Sequence, residues 1–147
     1  SQRNQSPYQS FTAFNLLAPK DIFQQIAFNE KIKSYGHEDT LFGIELKKEG
    51  ITVAHIDNPI VHLGLDENQV FIQKTEIGLQ NLALLIKENK ITKEVKLYRY
   101  YLFCKPTLFL TKSIFKILKK WSKKKLIDGS ETLLFFDLFK LSYLLTL

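Results

Sequence analysis

The sequence has no methionine and only one cysteine, Cys104, among its 147 residues. A single cysteine cannot form an internal disulfide, so the sequence does not predict a disulfide-stabilised secreted scaffold. No apolar run reaches the roughly 18 residues that a membrane-spanning helix needs. No basic start followed by an apolar stretch is present, so we expect no signal peptide. Because the chain starts at Ser1 rather than at a methionine, we expect it to be a piece of a longer protein.

The residues that are present describe a folded chain with one unusual segment. Hydrophobic residues make up 45% and charged residues 24%, which is typical of a globular domain with its own core. The net charge of +6 is uneven, because residues 87–125 carry 13 basic and 2 acidic side chains while both flanking segments are net negative. The basic character therefore belongs to one segment and requires its own explanation.

Apolar spacing and turn residues predict a mostly helical chain with two short strands. Pro19 favours a short helix directly after it, and Gly50 is expected to end a helix for which Asp39 is the cap. The expected helices are 20–26, 40–49, 67–88, 96–105, 107–124 and a final one ending near 145, and the expected strands are 51–56 and 60–63.

One stretch has an ordered set of residues that carry chemistry. An aromatic-acidic segment, Phe28-Asn29-Glu30, precedes Tyr35-Gly36-His37-Glu38-Asp39. An expected helix follows, then Gly50, an expected strand and the pair Val61-His62. A Glu-Asp dipeptide alone indicates little, so the order and spacing of the whole set carry the signal.

This set resembles the carboxyl-terminal, acceptor-binding half of family 2 glycosyltransferases, in which Gly-x-Glu-Asp precedes a helix, a glycine, a strand and a histidine. Asn15 and Lys20 match positions just upstream, and the resemblance covers about residues 11–88. It implies an α/β or α+β fold, a partial Rossmann-like domain of the GT-A type with few short strands, followed by a mainly helical extension. The implied domains are 1–90, the catalytic half, and 91–147, the basic helical extension.

The resemblance also implies a site. Asp39 would be the general base that takes the proton of an acceptor hydroxyl, and Glu38 would bind acceptor hydroxyls, with Gly36, His37 and Asn15 as further substrate-binding residues. His62 would complete the shell of a divalent metal, Mn or Mg, that stabilises the leaving nucleoside diphosphate in the complete enzyme. The donor would be a nucleotide sugar and the acceptor a glycan or a lipid-linked glycan, with inversion at the anomeric carbon.

Structural interpretations of the same residues remain open. Asp39 could act only as a helix cap, Glu38 as a solvated first-turn acid and His62 as a hydrogen-bonded strand residue. The sequence contains no Asp-x-Asp motif and no Gly-rich phosphate loop. We therefore expect the isolated chain to be inactive, because the half that binds the sugar nucleotide is not in it.

The basic segment predicts a second kind of surface. Leu110, Ile114, Ile117, Leu118 and Trp121 have helical spacing, and Lys112, Lys116, Lys119 and Lys123 have the same spacing on another face. A cationic amphipathic helix with a tryptophan predicts docking of residues 107–125 on an anionic membrane. The alternative is that the apolar face packs on the catalytic half and the lysines are simply solvated. We do not expect nucleic acid as a partner, because no recognised module surrounds the basic patch.

The last helix is apolar nearly all round, so other helices, a second copy in a homodimer or lipid must cover it. The rival to the enzyme hypothesis is a non-catalytic helical module that docks on a membrane or a protein. We expect a cytoplasmic protein, with peripheral attachment to the inner face of the membrane as the alternative.

Overall fold

The computed structural model describes residues 2–9, 11–26, 36–61, 63–93 and 95–147. The chain divides into two compact units, residues 1–63 and residues 64–147. The division lies well before the boundary at 90/91 that the sequence predicts, although the predicted domains themselves stay a prediction.

Regular structure in the described residues is entirely helical. The first unit contains the 3-10 helices Gln2–Gln5 and Ala13–Asn15 and the helices α1 (Lys20–Gln25) and α2 (Glu38–Lys48). The second unit contains α3 (Asn68–Lys87), α4 (Lys96–Cys104), a 3-10 turn (Lys105–Thr107), α5 (Leu108–Ile127) and α6 (Leu133–Thr146). In the described ranges no helix is long and apolar enough to cross a membrane.

The predicted α/β or α+β, partial Rossmann-like fold is therefore wrong. Residues 51–56, a predicted strand, have no regular structure, and neither do the described residues of the predicted strand 60–63. A strand becomes part of a sheet only when a neighbouring strand satisfies its backbone groups. The described residues include no strand that could pair with residues 51–56. This segment is therefore irregular, although its alternating apolar residues predict a strand.

Side chains satisfy several of these backbone groups instead. The Tyr8 hydroxyl donates to the carbonyl of Ile51 at 3.0 Å. The side chain of Asn4 accepts from the backbone N–H of His55 at 2.7 Å and donates to the His55 carbonyl at 3.0 Å. These bonds attach the segment after α2 to the amino-terminal residues without a ladder of strands.

The prediction that Gly50 ends the second helix is confirmed. Gly50 has a φ of 68°, its N–H bonds the carbonyl of Lys47 at 3.2 Å, and the N–H of Ile51 bonds the carbonyl of Leu46 at 2.9 Å. This pair of bonds is the Schellman arrangement, which satisfies the last carbonyls of a helix and favours glycine at the left-handed position.

The core of the first unit lies under the middle of α2. Phe42 and Leu46 are buried together with Ile26, and partly buried side chains of the amino-terminal residues pack against them. The ring centroids of Phe11 and Phe42 are 5.5 Å apart. Gly43 is buried beside this cluster and allows the amino-terminal residues to pass close to the helix.

We expect Gly43→Ala to destabilise the first unit, because a Cβ built there lies 2.8 Å from the backbone oxygen of Tyr8 and 3.2 Å from the Cβ of Phe11. Relieving such overpacking costs about 1–3 kcal/mol, which exceeds the gain of up to about 1 kcal/mol from replacing a helical glycine. Urea denaturation measures the net loss. Gly64→Ala is the control, since nothing lies within 4 Å of its added Cβ. Equal stability of the two variants would contradict the close approach.

The second unit is a packed group of four helices. Phe139 of α6 is buried with Ile72 and Leu79 of α3. The helix α6 contacts α3, α4 and α5, and its contact with α5 is the most extensive. Other helices of the unit therefore cover much of the apolar surface of α6. The predicted homodimer through this helix stays a prediction.

Candidate functional site

The Gly-x-Glu-Asp residues form a tight turn that leads into α2. Gly36 has a φ of 100° and His37 a φ of 71°, so two consecutive residues lie in the left-handed region. The His37 carbonyl accepts the bond from the N–H of Leu41 at 3.0 Å, and His37 is the cap residue. The prediction that Asp39 caps the helix is wrong, because this turn starts the helix at Glu38 and places Asp39 in its first turn.

The two carboxylates at this end of the helix have different surroundings. Glu38 is exposed, whereas Asp39 is half-buried. The first turn of a helix presents free backbone N–H groups and the positive end of the helix dipole, so it favours ionised carboxylates. Consecutive helical residues are about 100° apart around the axis, so the Glu38 and Asp39 side chains leave the helix in different directions and share only the environment of its first turn.

The histidine ring belongs to the same turn. The Nδ1 atom of His37 lies 3.3 Å from the Oγ1 atom of Thr40, within the first turn of α2. Burial lowers the pKa of His37 below its ordinary value of 6.5, and the nearby Glu38 carboxylate only partly opposes this shift. At neutral pH the ring is therefore uncharged and does not compete with a cationic ligand or hold a positive charge beside Asp39.

We expect the stability of the protein to fall as the pH drops below about 6.5, because protonation of His37 favours the unfolded chain. The folded pKa is depressed, so the stabilisation is complete above the unfolded pKa and is lost as the pH falls through the folded pKa. His37→Asn should weaken this dependence, since asparagine tolerates the left-handed conformation and does not titrate. Urea denaturation at several pH values compares the two proteins. An unchanged pH profile in the variant would exclude His37 as the cause.

Asn15 lies outside the turn and makes a structural contact. It ends the 3-10 helix Ala13–Asn15, and its side-chain amide donates to the backbone carbonyl of Asn58 at 3.2 Å. This bond connects the amino-terminal residues to the irregular segment after α2. A substrate-binding role for Asn15 stays a prediction.

The predicted metal ligand, His62, lies outside the described residues. Within the described ranges no group of three or more histidine, cysteine, aspartate or glutamate side chains could hold a metal ion. These residues do not fit a metal centre by themselves, and the predicted Mn or Mg stays a prediction. His55, which also follows α2, is among the described residues. Its Nε2 atom lies 2.8 Å from the carbonyl oxygen of Pro7, and a hydrogen bond between them requires the proton on Nε2.

The contacts that hold the segment after α2 in place do not follow from the sequence pattern. The side chains of Asn4 and Tyr8 bond the backbone of that segment. The residues responsible lie more than 40 positions away in sequence, and no periodic pattern identifies such partners.

In the residues that the structure describes, the protein is of the all-α class. Two acidic residues, Glu38 and Asp39, lie at the start of α2. Comparison with protein-family models, with curated proteins and with solved structures gave no match to this chain.

Proposed function

We propose that this chain is the acceptor-binding part of a family 2 glycosyltransferase. The complete enzyme passes a sugar from a nucleotide sugar to a glycan or lipid-linked acceptor, with inversion at the anomeric carbon. The observation that carries the proposal is the turn at Gly36 and His37, which puts both Glu38 and Asp39 in the first turn of α2. Binding of the nucleotide is not assigned to the described residues.

Asp39 is the general base in this proposal. Its carboxylate accepts the proton of an acceptor hydroxyl as the hydroxyl oxygen forms a bond to the anomeric carbon. The bond from that carbon to the phosphate oxygen breaks at the same time, and the nucleoside diphosphate leaves with the electron pair. Partial burial on a helix restricts the positions that the carboxylate can take, which favours a fixed base.

Glu38 and His37 assist in different ways. The exposed Glu38 carboxylate can accept a hydrogen bond from a second acceptor hydroxyl and so orient the reacting one. The uncharged His37 ring places no positive charge next to Asp39 in the chain. Stabilisation of the leaving group is not assigned to the described residues, since they form no metal centre.

The experiment uses the full-length protein that contains this chain. It is incubated with nucleotide sugars, with and without glycan and lipid-linked acceptors, and the release of nucleoside diphosphate is measured together with the elongated product. We expect release that depends on the acceptor. Release that is the same without acceptor indicates hydrolysis rather than transfer, and no release with any donor class would contradict the proposal.

A further inference from the structure

The helix α5 presents an apolar row to solvent. Leu110, Ile114, Ile117 and Trp121 follow one another at spacings of four, three and four residues, which places them on one side of a helix. Their exposed fractions are 70%, 55%, 67% and 45%. We call these four residues the outer stripe. One edge of the Trp121 ring is supported on α6, because it meets the Phe135 ring edge-on with centroids 5.0 Å apart.

The core of the second unit does not use the outer stripe. A different side of α5 faces inward: Ser122 is fully buried and donates to the carbonyl of Leu118 at 2.6 Å. Phe115 and Leu126 are half-buried on that side. The helix is therefore apolar on two sides, of which the fold covers one. Four large apolar side chains in a row on the other side need an explanation beyond folding.

The lysines of α5 divide in the same way. The helix has seven lysines and no acidic residue. Two of them are half-buried and serve the fold: the Lys123 ammonium bonds Glu76 at 2.6 Å, and the Lys119 ammonium lies 5.1 Å from the centre of the Tyr143 ring. The spacing in the sequence places Lys119 and Lys123 on one face with Lys112 and Lys116, but in the structure only the latter two are exposed. Five lysines of α5 are exposed in all. Four of them, which we call the lysine group, are Lys116, Lys120, Lys124 and Lys125.

We propose that α5 docks on an anionic phospholipid surface, with the outer stripe in the headgroup region and the lysine group on the headgroup phosphates. The charge of α5 favours a bilayer over a second copy of the chain as the partner of this surface. A second copy of the chain would bring further lysines of α5, and no acidic residue of α5, to the same contact. An anionic bilayer supplies both an apolar layer and negative charge, which matches an apolar row with lysines beside it. Trp121 suits the boundary between them.

Membrane docking does not depend on the proposed transferase activity. A lipid-linked acceptor would also lie at a membrane surface. Docking on anionic lipid predicts that the protein binds vesicles containing phosphatidylglycerol more strongly than vesicles of phosphatidylcholine alone, and that salt weakens the binding. Trp121 is the only tryptophan in the sequence, so its fluorescence reports on the stripe directly. We expect its emission to shift to shorter wavelength with phosphatidylglycerol vesicles.

Two variants separate the charge from the apolar contact. Changing the lysine group to glutamine should lower the vesicle partition coefficient about tenfold or more at low salt, because each lysine near the surface contributes appreciably. Changing Ile114 and Ile117 to serine should lower binding most at high salt, where the attraction of the lysines is screened. Both isoleucines are exposed, so circular dichroism should show an unchanged fold.

The matched control removes the same number of charges from the same basic segment, outside α5. Lys87, Lys90, Lys93 and Lys96 are all exposed, and their change to glutamine should leave binding close to that of the parent. Equal binding of the parent to neutral and anionic vesicles would overturn the proposal. So would equal losses in the control and the lysine-group variant, or a dimer in solution that Ile114→Ser dissolves while no vesicle is bound.

Discussion

In the transferase that we propose, Asp39→Asn should lower turnover by about 10²–10⁴, the usual contribution of a general base. Asparagine keeps the size of the side chain and its place in the first turn of α2, but it cannot accept the proton of the acceptor hydroxyl. In the proposal Glu38 still holds the acceptor and the donor binds elsewhere, so the loss should appear in kcat rather than in the KM of either substrate. Steady-state kinetics with varied donor and acceptor measure both.

The control for this variant is Asp21→Asn. Asp21 also lies in the first turn of a short helix and is exposed, so the substitution removes the same charge from an equivalent position. Each change should reduce stability by about 0.3–1 kcal/mol through the helix dipole. If turnover falls equally in both variants, the loss reflects charge or stability rather than chemistry. Near-parental turnover in a folded Asp39→Asn enzyme would show that Asp39 is not the base.

Phe139→Ala should be the most destabilising single change in the second unit. Phe139 has no exposed surface and packs against Ile72 and Leu79, with the Tyr143 ring centroid 5.9 Å away. Removing a fully buried phenylalanine side chain costs about 3–5 kcal/mol, because apolar contacts are lost and a cavity remains. Urea or thermal denaturation followed by circular dichroism should report a loss of this size.

Phe109→Ala is the matched control, since it makes the same chemical change on α5 at a side chain that is 82% exposed. A surface substitution of this kind usually alters stability by less than about 0.5 kcal/mol. If Phe139→Ala also costs less than about 1 kcal/mol, α6 does not form the core of the unit. That outcome would also remove the basis for assigning the inward and outward sides of α5.

Helix boundaries were largely predictable from the sequence because their signals are local. The long helix expected at 67–88 is observed as Asn68–Lys87, within one residue at each end. A glycine at the left-handed position ends α2, and its two closing bonds involve only neighbouring residues. The start of α2 was mispredicted because His37, an unusual left-handed cap, replaced the expected aspartate.

The position of the acidic pair followed from the sequence, whereas its surroundings did not. Glu38 and Asp39 are adjacent in the chain, so any helix that starts there places both of them in its first turn. Their unequal exposure and the lowered pKa of His37 depend on which side chains pack around the turn. Burial of this kind is a property of contacts between distant residues, and no spacing rule supplies it.

The sequence by itself determined where the α-helices α1 to α6 lie, where several of them end, and that positive charge is concentrated in residues 87–125. Each of these depends on neighbours within about one or two turns of chain. Only the tertiary structure decided that residues 51–56 join no described strand and that one of two apolar sides of α5 faces inward. Both outcomes depend on long-range partners, since an extended segment needs another backbone to pair with and a two-sided apolar helix buries the side that other helices meet.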